Sequence, residues 1–285
     1  MMRGMFSAIS GLKQHQVMLD VTANDIANVN TVGYKSSRVT FQDSLNQLQR
    51  GAAGSNAATG GTNAAQVGLG VKLGSIDNLM SGGTSQTTGS PLDVSIQGEG
   101  FFQIGEGNPG TASNSPINPT TYTRAGNFSV STAGFLTNSA GQYVVGYQLD
   151  PGTGNPITTG VAVKIPDNAT SVAIDPSGGV SWIDGATGTR QTGYRLTIAN
   201  FANASGLERV GGNAWAVSAN SGAKTVNTPG IGGAGPVSPG TLEMSNVDLS
   251  QTFTNMITAQ RGFQANSRVI STADEMLQDL VNLKR

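Results

Sequence analysis

The chain has 285 residues, 16 basic and 17 acidic, with a formal net charge of −1 and no cysteine. These figures exclude disulfides and thiolate metal sites, and the lack of a basic stripe argues against a nucleic-acid partner. Glycine contributes 40 residues and charged residues only 12%, about twice and about half their usual shares, so a β-rich body with many turns and a polar, weakly charged surface is expected.

The opening MMRGMFSAISGLKQHQ has no continuous apolar core and no cleavage-site pattern, so a conventional signal peptide is not expected. No apolar run of about 18 residues follows, so no membrane insertion is expected. Met2, Met5, Ile9, Leu12, Gln16, Leu19, Ala23 and Ile26 repeat at alternating spacings of three and four. That period predicts a first helix with a narrow seam for a partner helix. His15 lies off this seam and is expected to be a solvated surface group. Residues 19–35, LDVTANDIANVNTVGYK, crowd Asn24, Asn28 and Asn30 into the end of the helix. Asn side chains compete for backbone hydrogen bonds and favour helix ends, and Gly33 can take a positive φ and turn the chain away.

Residues 31–70 read as linker and loop, with GAAGSNAATGGTNAAQ at 51–66 the least structured part. From 71 to 247 the period becomes two. Leu92–Ile96, Val161–Ile165, Tyr194–Ile198 and Trp215–Val217 alternate as half-buried strands do. Turn signals at 131–134, 175–179 and 184–188 separate them, and residues 221–240 read as a second loop. No helical pattern lies between the strands, so the body should be antiparallel. Near the end, Ser245 or Asn246 can cap a helix beginning near Asp248. Its seam runs through Leu249, Phe253, Met256, Gln260, Phe263, Ser267, Ile270, Asp274, Leu277 and Val281. The fold class is therefore α+β: long N- and C-terminal helices paired with each other, and an inserted, mainly antiparallel β body. Residues 1–30 with 248–285 form the helical domain, 31–70 the linker, and 71–247 the body.

Chemistry is thin. One His, no Cys and scattered acids give no metal cluster or nucleophile–base pair, so no catalytic residue, metal or cofactor is assigned. Gly98-Glu-Gly100 and Gly68-Leu-Gly70 lack the rest of a phosphate-loop pattern. Asp150-Pro-Gly-Thr-Gly-Asn155 lacks the terminal acid of a calcium loop and reads as a turn.

Asn24-Asp-Ile26-Ala27-Asn28, then Thr31, Gly33, Tyr34 and Lys35, closely resembles the N-terminal motif of the bacterial flagellar rod and hook proteins. The resemblance continues through Gly68–Val71, Thr88–Asp93, Ile96–Phe102, Tyr122–Phe128, Asn200–Asn203, Ser245–Leu249 and Met256–Arg261, and is weakest at about 148–193. The usual Asn-Asn pair is Asn24-Asp25 here. The resemblance implies an inner tube of terminal helices, an outer tube of β bodies and a helical homopolymer. The two heptad seams supply the expected assembly positions Met5, Ile9, Leu12, Leu19, Ile26, Phe253, Met256, Phe263, Ile270 and Leu277. Implied partners are further copies of the chain, rod and hook–filament junction proteins, the flagellar export apparatus and the hook cap. Export without a cleaved signal and an extracellular site in the hook–basal body follow. Within the family, Gly60–Asn63 leading into Gly68–Ile76 favours a short hook protein over a distal rod protein. A β-rich adhesin with coiled-coil ends is the reading from another class, and a β-domain enzyme the third.

Overall fold

A computed structural model describes residues 2–55, 60–107, 119–150 and 156–283. The described chain is α+β, with a long helix near each end and antiparallel strands between them in sequence. It divides into two compact units: residues 1–27, 37–78 and 248–285, and residues 28–36 with 79–247.

The first unit contains α1 (Met2–Ala27), β1 (Ser37–Asp43), β2 (Asn46–Arg50), β3 (Ala65–Gly68), β4 (Val71–Asn78) and α2 (Leu249–Asn282). The two helices pack against each other. A Cβ on Gly11 would lie 2.7 Å from Asn266 Nδ2, and one on Gly262 would lie 2.5 Å from His15 Cε1. Position rises on one helix as it falls on the other, so the pair is antiparallel. The buried side of α1 is Ala8, Gly11, Thr22 and Asp25, and that of α2 is Thr252, Ala259 and Ala273. These are mostly small residues at heptad spacing, which lets two backbones approach closely.

The contact faces therefore differ from the sequence seams. Met5, Leu12, Leu19 and Ile26 on α1, and Met256, Phe263, Ile270 and Leu277 on α2, are half-buried. Ile9 and Phe253 are exposed, Phe253 at 49%. On α2 two stripes share the row Met256, Phe263, Ile270, Leu277. One adds Phe253 and Gln260, the other Thr252 and Ala259. Apolarity alone favours the first, and close helix approach selects the second. His15 is not a free surface group either: it is half-buried and meets the Phe41 ring edge-on at 6.0 Å.

The cap of α2 also differs. Asp248 accepts from the backbone N–H of Ser250 and Gln251 at 2.8 and 3.1 Å, placing a carboxylate at the positive end of the helix dipole. Asn246 is engaged elsewhere.

Residues 37–78, expected as linker up to 70, carry four strands. β1 pairs with β4 antiparallel, Ser37 opposite Asn78, with a bulge between Thr40 and Phe41. β2 pairs with β3, and an isolated bridge joins Ala53 to Thr62. β2 and β3 bury no face and so show no alternation that a sequence could reveal. The β1–β4 pair packs on α1 at a defined point: Ser10 Oγ accepts from Val71 N at 3.2 Å. Gly70, at φ 122°, could carry no Cβ there, since it would fall 2.2 Å from Ser10 Oγ.

The second unit is the β body. Its main sheet runs Ala169–Ile174, Gly179–Asp184, Arg190–Leu196, Tyr143–Leu149, Phe101–Gly105, Thr121–Thr123, Ala214–Ala216 and Glu208–Gly211, every neighbouring pair antiparallel. Phe102, Leu136, Val144, Val161, Val180, Leu196 and Ile198 form its core. Within the expected loop 221–240, Lys224–Asn227 pairs with Ile198–Phe201 and Val237–Pro239 with Val94–Ile96. The turn expected at 150–155 lies outside the described residues beyond Asp150.

The helix seam makes a prediction. Gly262→Leu should overpack against His15 and cost about 1–3 kcal/mol. Gly262→Ala should be near neutral, because about 1 kcal/mol of helix propensity offsets a small ring shift. Thermal melts followed by far-ultraviolet circular dichroism check the order; equal melts for both variants would contradict the close approach.

Candidate functional site

The motif segment after α1 is threaded into the β body by polar bonds. Thr31 turns back on Asn28, N–H to carbonyl at 3.1 Å and Oγ1 to Oδ1 at 3.1 Å. Gly33 takes φ 69°. A Cβ at Gly33 would lie 2.6 Å from Ala125 N, so the turn needs glycine for both conformation and space. Its N–H donates to the Glu243 carbonyl at 2.8 Å, and Asn213 Nδ2 donates to the Val32 carbonyl at 3.0 Å.

Lys35 is the centre of the site. Its ammonium has no exposed surface and donates to Glu243 Oε1 at 2.6 Å and to the Ser81 carbonyl at 2.8 Å. Arg124 Nη1 reaches the other Glu243 oxygen at 3.3 Å, and Gly83 N donates to Oε1 at 3.0 Å. Glu243 thus serves two buried cations and an amide. Arg209 closes the outer side. Its guanidinium lies 4.8 Å above the Tyr34 ring and 5.1 Å from the Trp215 ring, and it donates to Tyr34 Oη at 3.1 Å and to the Lys35 carbonyl. Asn246 accepts from Ser36 N at 2.7 Å and donates to the carbonyls of Leu79 and Ser81 at 2.9 and 3.1 Å. It fastens the chain before α2 to the chain after α1.

Of the motif residues expected as one group, the structure brings Thr31, Gly33, Tyr34 and Lys35 into this site. Ile26 and Ala27 end α1. Asp25, beside Asn24, departs from the usual Asn pair, and its carboxylate accepts from Ser37 N at 3.2 and 3.1 Å. The sequence reading missed Glu243, Arg124, Arg209 and Asn246 as partners. Arg124 lies within the family-like segment Tyr122–Phe128, but nothing in spacing joins it to residues 35 and 243.

Burial lowers the Lys35 pKa below its usual 10.5; attraction to Glu243 opposes this and Arg124 adds to it. Burial likewise lowers Arg124. The buried trio of Lys35, Arg124 and Glu243 holds one cation more than its carboxylate balances. Among the described residues no group of His, Asp and Glu could hold a metal, and no helix is long and apolar enough to cross a membrane. The arrangement fastens the segment after α1 to the strand and loop that precede α2.

Two outcomes follow. Glu243→Gln leaves two buried cations unpaired and should cost about 3–5 kcal/mol, whereas Lys35→Met leaves one matched pair and should cost less. Denaturant unfolding measures both, and a reversed order would contradict the charge count. The folded chain releases the Lys35 proton more readily than the unfolded chain. Between the lowered folded pKa and 10.5 the unfolded state binds more protons, so the contribution of this group to stability rises with pH. Wild type should therefore gain on Lys35→Met as pH increases toward 10.5; thermal melts across that range check the sign.

Three protein-family models match the chain: "Flagella basal body rod protein" at residues 5–35, "Flagellar hook protein FlgE/F/G D1 domain" at 95–182, and "Flagellar basal body rod FlgEFG protein C-terminal" at 238–283. A relative in Bacillus subtilis described as flagellar basal-body rod protein FlgG is 47% identical, with all of both chains covered. One of the same description in Caulobacter vibrioides is 41% identical over 99% of this chain and 100% of its own. A flagellar hook protein FlgE of Treponema pallidum is 28% identical over an alignment of 476 residues covering both chains. The matched ends contain the helices and the fastening residues Lys35 and Glu243, and the matched centre contains Arg124. The chain belongs to the flagellar rod and hook axial protein family, a family of structural rather than catalytic subunits.

Proposed function

We propose that the chain is a structural subunit of the distal rod of the bacterial flagellum, polymerising with copies of itself into a tube within the basal body. The observation that carries this reading is the end-to-end similarity to basal-body rod proteins of matching length. The hook relative is much longer and less similar, which weighs against the hook assignment that the short motifs favoured. Hook and rod proteins share those motifs, so the motifs do not separate them.

The surfaces of the first unit support polymerisation. Helix α2 exposes Leu249, Phe253 and Ile257 at spacing four, and Met276 and Leu280 farther along; α1 exposes Met2 and Phe6. The β2–β3 hairpin exposes Leu48 and Val67, with Leu45 and Leu69 beside it. A two-stranded hairpin with no buried face is marginal alone in water, and exposed apolar stripes on paired helices mark association surfaces. The occupants are further copies: a heterologous contact repeated without closure builds a helical filament. Met5, Ile9, Leu12, Leu19, Ile26, Phe253, Met256, Phe263, Ile270 and Leu277 border these surfaces, and Asn24 and Asn28 flank the end of α1. Partners at the tube ends are other rod and hook components, reached through the flagellar export apparatus.

Two experiments test this. A strain lacking the gene should yield basal bodies with an incomplete rod and neither hook nor filament; a complete rod without a hook would restore the hook reading. Phe253→Asp should leave the monomer folded, because that side chain is exposed. It should abolish tubes, because a carboxylate buried at each repeated contact costs several kcal/mol per subunit. Circular dichroism with electron microscopy distinguishes these; normal tubes would remove this face from the assembly surface.

A further inference from the structure

The fastening cluster holds Lys35 and Arg124 against the single carboxylate of Glu243, all with side chains at most 3% exposed. Such an excess of buried charge calls for compensation nearby. Arg209, the remaining cation of the site, lies on Tyr34 and Trp215 and adds no anion. Beside Arg124 lies a cavity of about 140 Å³, whose lining includes Glu99, Gly100, Phe101, Arg124, Asn200 and Phe201. Arg124 Nη1 is taken by Glu243, and the guanidinium covers the Phe101 ring at 5.2 Å. Its Nε is buried without a hydrogen-bond partner, and so is Asn200 Oδ1. One is a donor and the other an acceptor, and both belong to residues lining the same cavity.

Gly100 keeps this space in shape: at φ 123°, a Cβ there would lie 2.1 Å from Ile198 Cγ2 and 2.6 Å from Asn200 Oδ1. The volume suits about five waters at ~30 Å³ each, and water can accept from Nε and donate to Oδ1 at once. Glu99 belongs to the same lining with its side chain exposed, and its charge already favours the protonated form of Arg124.

We propose that this cavity is an ordered-water site, and that through its water Glu99 supplies the second carboxylate that balances the Lys35–Arg124–Glu243 cluster. Glu99 is then a positioning residue acting on Arg124 across water. The water supplies the hydrogen bonds that Arg124 and Asn200 do not make to protein.

Nuclear magnetic resonance of the full-length monomer tests both parts. Arg124 Nε–H should show cross-relaxation with long-lived water, lost in Asn200→Leu. Glu99→Gln should move the Lys35 titration midpoint downward, because the cluster loses a counter-charge. The exposed control Glu106→Gln should leave it in place. Glu99 is at the surface, so its variant keeps the fold and the second readout stands even where Asn200→Leu does not fold. Absence of water at Arg124 Nε–H in the wild type, a direct Glu99–Arg124 bond, or an unmoved Lys35 midpoint in Glu99→Gln would overturn the proposal.

Discussion

The carboxylate of Glu243 sets the path of the chain through the β body. It is bonded by an ammonium from Lys35, a guanidinium from Arg124 and the amide of Gly83, while its own backbone carbonyl receives Gly33 N–H. Residues 33–35 follow α1 in sequence and residue 243 precedes α2, so one side chain ties together the chain leaving one helix and the chain approaching the other. Buried ion pairs are poor sources of net stability, because desolvation offsets most of the attraction. They are effective at specifying one arrangement, because a slipped register would leave a charge buried and unpaired. Asn246 and Arg209 reinforce the same register with backbone bonds to Ser36 and Lys35.

The helices show a second division of labour. Ala8, Gly11, Ala259 and Ala273 are among the buried residues of the two packed helices, and much of the larger apolar surface, Phe6, Phe253 and Ile257 among it, is left outside. A lone chain gains little by exposing such residues, whereas a polymer gains at every repeat. Close packing by small residues inside and large residues outside suits a subunit whose hydrophobic burial is completed by its neighbours. The β2–β3 hairpin follows the same logic, with no side chain buried along either strand.

Much of this was legible in the sequence. The two terminal helices announce themselves by heptad spacing, and the period-two runs mark strands that the structure contains: Val94–Ile96, Arg190–Leu196 and Ala214–Ala216. Periodicity survives in sequence because it reflects local geometry, 3.6 residues per helical turn and two per strand repeat. The motif from Asn24 to Lys35 pointed to the family and to the segment that is fastened, and Gly33 stood out because a turn there needs positive φ. Rod and hook proteins, in contrast, share these local signals, so the motif by itself does not choose between them.

What tertiary structure alone decided is which of several permitted partners each residue takes. A heptad defines a stripe only to within a neighbouring row, and the choice of the Thr252–Ala259 row over Phe253–Gln260 depends on how closely α1 approaches. Asp248 rather than Asn246 caps α2, since Asn246 is drawn to Ser36, Leu79 and Ser81. The strands of 37–78 bury too little to leave an alternating pattern. The Lys35–Arg124–Glu243 cluster joins three positions far apart in sequence, and charge pairing at such separations leaves no spacing to read. Sequence thus determines periods, turns and caps, which are local, while burial of charge is decided where the folded chain brings distant residues together and excludes water.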